Sequence, residues 1–225
     1  MELLWQSLAI ARKDLRIERR SKEVVNAAFS FALVVLLLFS FTFDPTGDEV
    51  REMSGGLLWL VYSFAGVLVL NRSFAQETQN DCLDALVAAP VSGAAIFLGK
   101  ALANTVFLLF LVLATLRVFT VFYNVRWEAR MAWLLPVLVL GTWGFTVIGT
   151  VFSALTVSVR LRELMLPLLV FPMTVPVLMG AVQLTTTLFT GEPMAENLVW
   201  LQFMAGFDLI FTLLGLTLVE TILVG

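Results

Sequence analysis

Three acidic side chains, Glu77, Asp81 and Asp84, share the run SFAQETQNDCLDALVAAPVSGAAIFLGK between Ser73 and Lys100, with long apolar stretches on either side. At 100° per helical residue they fall within about 60° of one another. Cys82, Leu86 and Ala89 take the opposite side, and Leu83 flanks them. Nothing nearby turns these carboxylates into a catalytic set. The chain contains no histidine, which removes the commonest general base and metal ligand and excludes HExxH zinc hydrolases. A nucleophile–base pair would have to come from isolated Asp, Ser or Lys residues. Cys82 is the sole cysteine, so there is neither an internal disulfide nor a CxxC pair. The phosphate-cradling pattern GxxxxGK[ST] is also missing. One further carboxylate stands alone, Asp208, in LQFMAGFDLIFTLLG.

The elements that hold these residues are membrane helices. Of 225 residues, 60% are hydrophobic and only 14% charged, with a mean hydropathy of +0.94. A soluble domain of this size lacks the polar residues to cover itself at that composition. Six Trp and nineteen Phe suit lipid-facing and interfacial positions. Six runs reach the roughly 20 residues needed to cross a bilayer: Val24–Phe43, Gly56–Leu70, Ala101–Tyr123, Ala132–Val159, Leu164–Phe189 and Leu198–Val219. The second is short and extends toward Ser54 and Arg72. No repeat or linker divides the chain, which reads as one all-α transmembrane domain over residues 1–225.

Charge orients the spans. With the N-terminus inside, Arg12, Lys13, Arg16, Arg19, Arg20, Lys22, Arg72, Lys100, Arg160 and Arg162 gather on the cytoplasmic side, against Arg51, Arg117, Arg126 and Arg130 opposite. Six spans return the C-terminus to the cytoplasm, and the segment 73–90 lies there too. The first 23 residues are too mixed for a signal peptide and read as a basic amphipathic helix on the inner leaflet. Leu4, Leu8, Ala11 and Leu15 form its apolar face, with Arg12, Arg16 and Arg19 anchoring it to headgroups or serving as a docking surface. There is no basic patch on a soluble surface, so nucleic acid is not an expected partner.

Segment 73–90 reads as a short cytoplasmic helix, N-capped by Ser73 and ended by Pro90. Its two readings are a solvated acidic loop resting on the bundle and a helix that docks in a partner's groove. Asp208 is costly at mid-span. A neutral acid, a hydrogen-bonding partner of Thr or Gln, and a wall of a wet path are all open to it. Pro167, Pro172 and Pro176 each remove a hydrogen bond from the fifth span, as a helix that changes shape or as ordinary membrane prolines. Gly141, Gly144, Gly149 and Ser153 permit close packing in the fourth, within the chain or at a dimer seam. Arg117 falls roughly 25 Å into the third span, where it snorkels to the outer interface.

The run RSFAQETQNDCLDALVAAPVSGAAIFLGK resembles a family pattern of acidic helix, Leu-rich turn, Pro, and an apolar stretch ending in GK, and LMLPLLVFPMTVPVLMGA resembles its proline-containing helix. That family is haem exporter protein B, the permease of the haem exporter in system I cytochrome c maturation; ABC-2 type permeases share a weaker version. The length and six-helix layout match over nearly the whole chain. The resemblance implies a non-enzymatic transport subunit in a bacterial or archaeal inner membrane. ATP with Mg would be bound by a separate cytoplasmic ATPase, haem would be the complex's substrate, and further membrane subunits would handle it. It further implies a homodimer and a coupling helix comprising Phe74, Glu77, Asp81, Leu83, Asp84, Leu86 and Pro90. No cofactor is expected on this chain, and without histidine any haem ligation would fall to Met, Cys or Tyr. Two other readings stand beside it: an exporter permease for a lipid, polysaccharide or drug, and a non-transporting assembly scaffold.

Overall fold

A computed structural model describes residues 2–43, 47–75, 77, 89–123, 128–157 and 159–224. Among them there is no strand. Helix α1 (Glu2–Ser21) is followed by α2 (Glu23–Thr42), α3 (Asp48–Ser73), α4 (Gly93–Phe122), α5 (Leu134–Leu155), α6 (Arg162–Thr190) and α7 (Leu198–Val224). Single 3₁₀ turns at Ala129–Trp133 and Met194–Asn197 lead into α5 and α7. Six helices, α2 to α7, are long and apolar enough to cross a membrane. The chain is an all-helical, multi-pass membrane protein.

The six spans differ in how much of themselves they hide. In α3 and α5, 67% of the spanning window is buried inside the bundle, against 17% in α2. The sequence shows why these two are central. Lipid tails offer no hydrophobic drive for helices to associate, so close contact has to come from small residues that let backbones approach. On α5, Gly141 lies under the Trp59 ring and Gly149 under the Leu70 side chain, both of α3, and a β-carbon at either position would collide. Ser153 donates to the Leu70 carbonyl at 3.0 Å. These small residues are therefore covered inside the chain, which removes them from any dimer seam. Trp59 stacks edge-on to Tyr62 at 5.0 Å and donates to Thr185 of α6 at 3.0 Å, fastening α3 to α6.

Span limits depart from the sequence reading at four places. Helix α3 is a full 26 residues and starts at Asp48 rather than Gly56. The next, α4, starts at Gly93 rather than Ala101, because Ser92 caps it: Ser92 Oγ accepts from the Ala95 N–H at 3.2 Å. Helix α5 ends at Leu155, before the β-branched residues that hydropathy adds to it, and α7 continues to Val224. Helix α6 stays helical through Pro167, Pro172 and Pro176, with Pro172 exposed and the other two half-buried.

Candidate functional site

Among the described residues, a dense polar cluster forms where α1, the end of α3 and the start of α4 meet. The first residues of α4, GAAIFLG, are mostly small, and α1 closes on them; a β-carbon on Gly99 would stand 2.7 Å from Ile10 Cβ. That approach lays Lys13 and Asp14 of α1 over Lys100, which stands two turns into α4. Helix α3 ends at Ser73, and a turn, with the Glu77 N–H on the Phe74 carbonyl at 3.1 Å, swings the Glu77 side chain back toward the same point.

Lys100 is 1% exposed, an extreme for an ammonium group. Its three donors meet three acceptors: the Ser73 carbonyl at 2.9 Å, Glu77 Oε1 at 3.1 Å and Asp14 Oδ2 at 3.2 Å. Its Nζ also lies 4.8 Å from the centroid of the buried Phe74 ring. Lys13 donates to Glu77 Oε1 and pairs with Asp14 Oδ1 at 3.2 Å. Two ammonium groups thus balance two carboxylates. Burying charge is tolerable only with such pairing, since an unpaired ion there costs several kcal/mol.

The network carries inward and sideways. One turn along α4, Asn104 donates to Ser73 Oγ at 3.0 Å and to Thr150 of α5 at 3.1 Å. Thr105 and Thr146 share a 2.7 Å hydrogen bond. Beside Asn104, a cavity of about 30 Å³ bordered by Asp14, Glu18, Arg72 and Ser73 has room for a single water. Gln6 of α1 donates to the Pro90 carbonyl at 3.2 Å, so the far end of segment 73–90 is held by α1 as well.

Burial alone would raise the Glu77 carboxyl, but the charge of Lys100 and the hydrogen bond and charge of Lys13 outweigh it and hold its pKa below the ordinary glutamate value. Burial likewise opposes charge on Lys13, yet its hydrogen bond to Glu77 and the charges of Asp14 and Glu77 raise its pKa above the usual lysine value. The cluster is an ionised clamp. It has no nucleophile set beside a free base, and no group of three or more potential metal ligands occurs among the described residues. What such an arrangement can do is mechanical: it ties α1, the end of α3 and the start of one connecting segment to one lysine of α4, while Gln6 of α1 holds the other end of that segment.

A family model described as CcmB protein matches residues 5–219. The chain belongs to the CcmB family. It is 36% identical over 177 residues to a protein of Rhodobacter capsulatus named "Heme exporter protein B", covering 78% of this chain and 80% of that one. A protein of the same name from Pseudomonas aeruginosa is 29% identical over 209 residues, 92% of each. Another from Escherichia coli K12 is 30% identical over 181 residues, 80% of each.

In this CcmB-family chain several expected positions sit differently from their sequence phase. Ser73 is the last residue of α3, not the N-cap of a new helix, because its hydroxyl and carbonyl are taken by Asn104 and Lys100. Glu77 is buried at 8% exposure and paired inward, away from a solvated acidic stripe. Asp81, Leu83, Asp84 and Leu86 lie outside the described residues. Phe74 is buried, and Pro90 is exposed just before the Ser92 cap. On α1, Arg12, Arg16 and Arg19 are exposed, but the face against α4 is Ser7, Ile10 and Ala11; Leu4, Trp5 and Leu8 point outward. Arg117 is exposed.

Lys100, Lys13, Asp14 and Asn104 do not emerge from the sequence as a unit. The one local signal is Ser92: read as a helix cap, it places Lys100 inside a helix, where an unpaired ammonium group would be untenable.

Proposed function

We propose that this chain is the permease of a haem exporter serving cytochrome c maturation in the bacterial inner membrane, driven by a separate cytoplasmic ATPase that binds ATP and Mg. Membership of the CcmB family and the relatives named Heme exporter protein B support the transport role. The lack of a phosphate-binding loop of its own supports the need for an ATPase partner. The excess of Lys and Arg near the α1 end supports a cytoplasmic N-terminus and C-terminus. Arg12, Arg16 and Arg19 then lie at the inner-leaflet headgroups.

The observation that carries the coupling reading is the double attachment of segment 73–90. Its start is bound through Ser73 and Glu77 to Lys100 of α4, and its end through Pro90 to Gln6 of α1. A push on the segment therefore reaches α1, α3 and α4 together. In this reading the ATPase seats the apolar face of residues 82–89, and two copies of the chain work with two ATPase subunits and with haem-handling membrane subunits. The test is co-purification of the ATPase with wild type and with a Leu83→Asp, Leu86→Asp double variant. Loss of the complex or of its ATP turnover, with the helical content of the variant unchanged, is the expected result. An intact complex with normal turnover would rule the assignment out.

A further inference from the structure

Asp208 has no part in the clamp or in the coupling segment. It stands ten residues beyond Leu198 in α7, roughly 15 Å along the axis and so near the middle of a hydrocarbon core about 30 Å thick. It is 5% exposed, and neither Oδ1 nor Oδ2 has a hydrogen-bond partner among the described residues. The donors close by are already used: Thr212 donates to the Asp208 backbone carbonyl at 2.6 Å, and Trp143 of α5 donates to Thr212 at 2.9 Å.

The carboxyl fits into a notch made by Gly144 of α5, where a β-carbon would collide with Oδ1, and Val177 of α6 walls the same spot. The ionisable groups on the elements packed against α7 all lie elsewhere. Helix α4 brings Lys100, engaged at the bundle end, and exposed Arg117; α5 brings none. Helix α6 brings Arg162 and Glu163 in its first turn, and the preceding 3₁₀ turn brings exposed Glu196. None forms an ion pair with Asp208 among the described residues.

An aspartate anion there would be buried with neither a donor nor a cation, the costliest state a polar group can take. A neutral acid avoids that cost, and the Gly144 notch shows that the fold makes room for the group instead of excluding it. We propose that Asp208 is an intramembrane proton-binding site: its carboxyl is a neutral acid in the closed bundle, and it exchanges its proton with water through the seam between α5 and α7. On release, the carboxyl O–H bond breaks, the electron pair stays on the oxygen, and the proton passes to water. The site requires no ATPase and is independent of how segment 73–90 is used.

Infrared spectroscopy of the full chain in lipid bilayers, with carbon-13 in the aspartate carboxyls, tests this at neutral pH. The expected result is a protonated-carboxyl carbonyl band in wild type that is missing in Asp208→Asn, and that shifts when the sample is moved into heavy water. A wild-type spectrum without an Asp208-dependent band would overturn the neutral acid. A band that never shifts in heavy water would overturn the exchanging site.

Discussion

Glu77 and Asp208 are buried almost equally, at 8% and 5% exposure, yet the structure treats them in opposite ways. Glu77 lies between two lysines, one of them entirely enclosed, and stays ionised below the ordinary glutamate range. Asp208 lies between a glycine and a valine with no donor on either oxygen among the described residues. Burial by itself therefore does not set the charge of a carboxyl. The partners that the fold delivers to it do. One carboxylate is part of a joint that holds helices together; the other is a lone group that the packing of α5 on α7 tolerates.

Removing the partners should break this contrast where it is strongest. Lys100→Ala leaves Glu77 and Asp14 with only Lys13 and strips the Ser73 carbonyl of its donor, at a cost of about 3–5 kcal/mol. Unfolding of the purified chain should show this loss directly, and a variant as stable as wild type would mean that the cluster is not a clamp. At the other carboxyl, Gly144→Ala drives a methyl group into the Asp208 oxygen, an overpacking cost of about 1–3 kcal/mol. The cost should fall when Gly144→Ala is combined with Asp208→Ala, read by a double-mutant cycle.

The pH profile tests the ionised side of the contrast by a smaller effect. The Glu77 pKa is lower in the folded chain than in the unfolded one, so its stabilisation is complete above the unfolded glutamate value and is lost as pH falls through the folded one. Lys13 is raised, so its share is complete below the unfolded lysine value and is lost as pH climbs through the folded one. Thermal unfolding should accordingly show a plateau through neutral pH and a fall on the acid side, and Glu77→Gln should flatten that acid limb.

The sequence shows clearly what depends on length and composition. Six spans, the basic first helix and a break between two of them follow from hydropathy and charge, and all six spans are present within a turn or two except at the starts of α3 and α4. Phase is less legible. Treating Ser73–Pro90 as one continuous helix puts Glu77 on a solvated stripe with Asp81 and Asp84; the turn at Phe74 interrupts that phase before Glu77 is reached. Lys100 reads as an interfacial cation only when its helix starts at Ala101, on the wrong side of it. The partners that bury it are Asp14 and Glu77, 86 and 23 residues away, and no local spacing encodes such a meeting. Asp208 is legible as an anomaly, since a carboxylate inside an apolar run is conspicuous by itself. Its lack of partners is not, because that depends on what α5 and α6 place opposite it.

Cys82, the chain's only cysteine, lies within residues 73–90, the proposed seat of the ATPase, and allows a direct measurement there. Its rate of maleimide labelling should be compared in the isolated chain and in the complex with the ATPase, both in lipid bilayers. Labelling should be slowed several-fold by the ATPase, and the ATPase-dependent protection should be lost in the Leu83→Asp, Leu86→Asp variant. Equal labelling with and without a stably bound ATPase would contradict it.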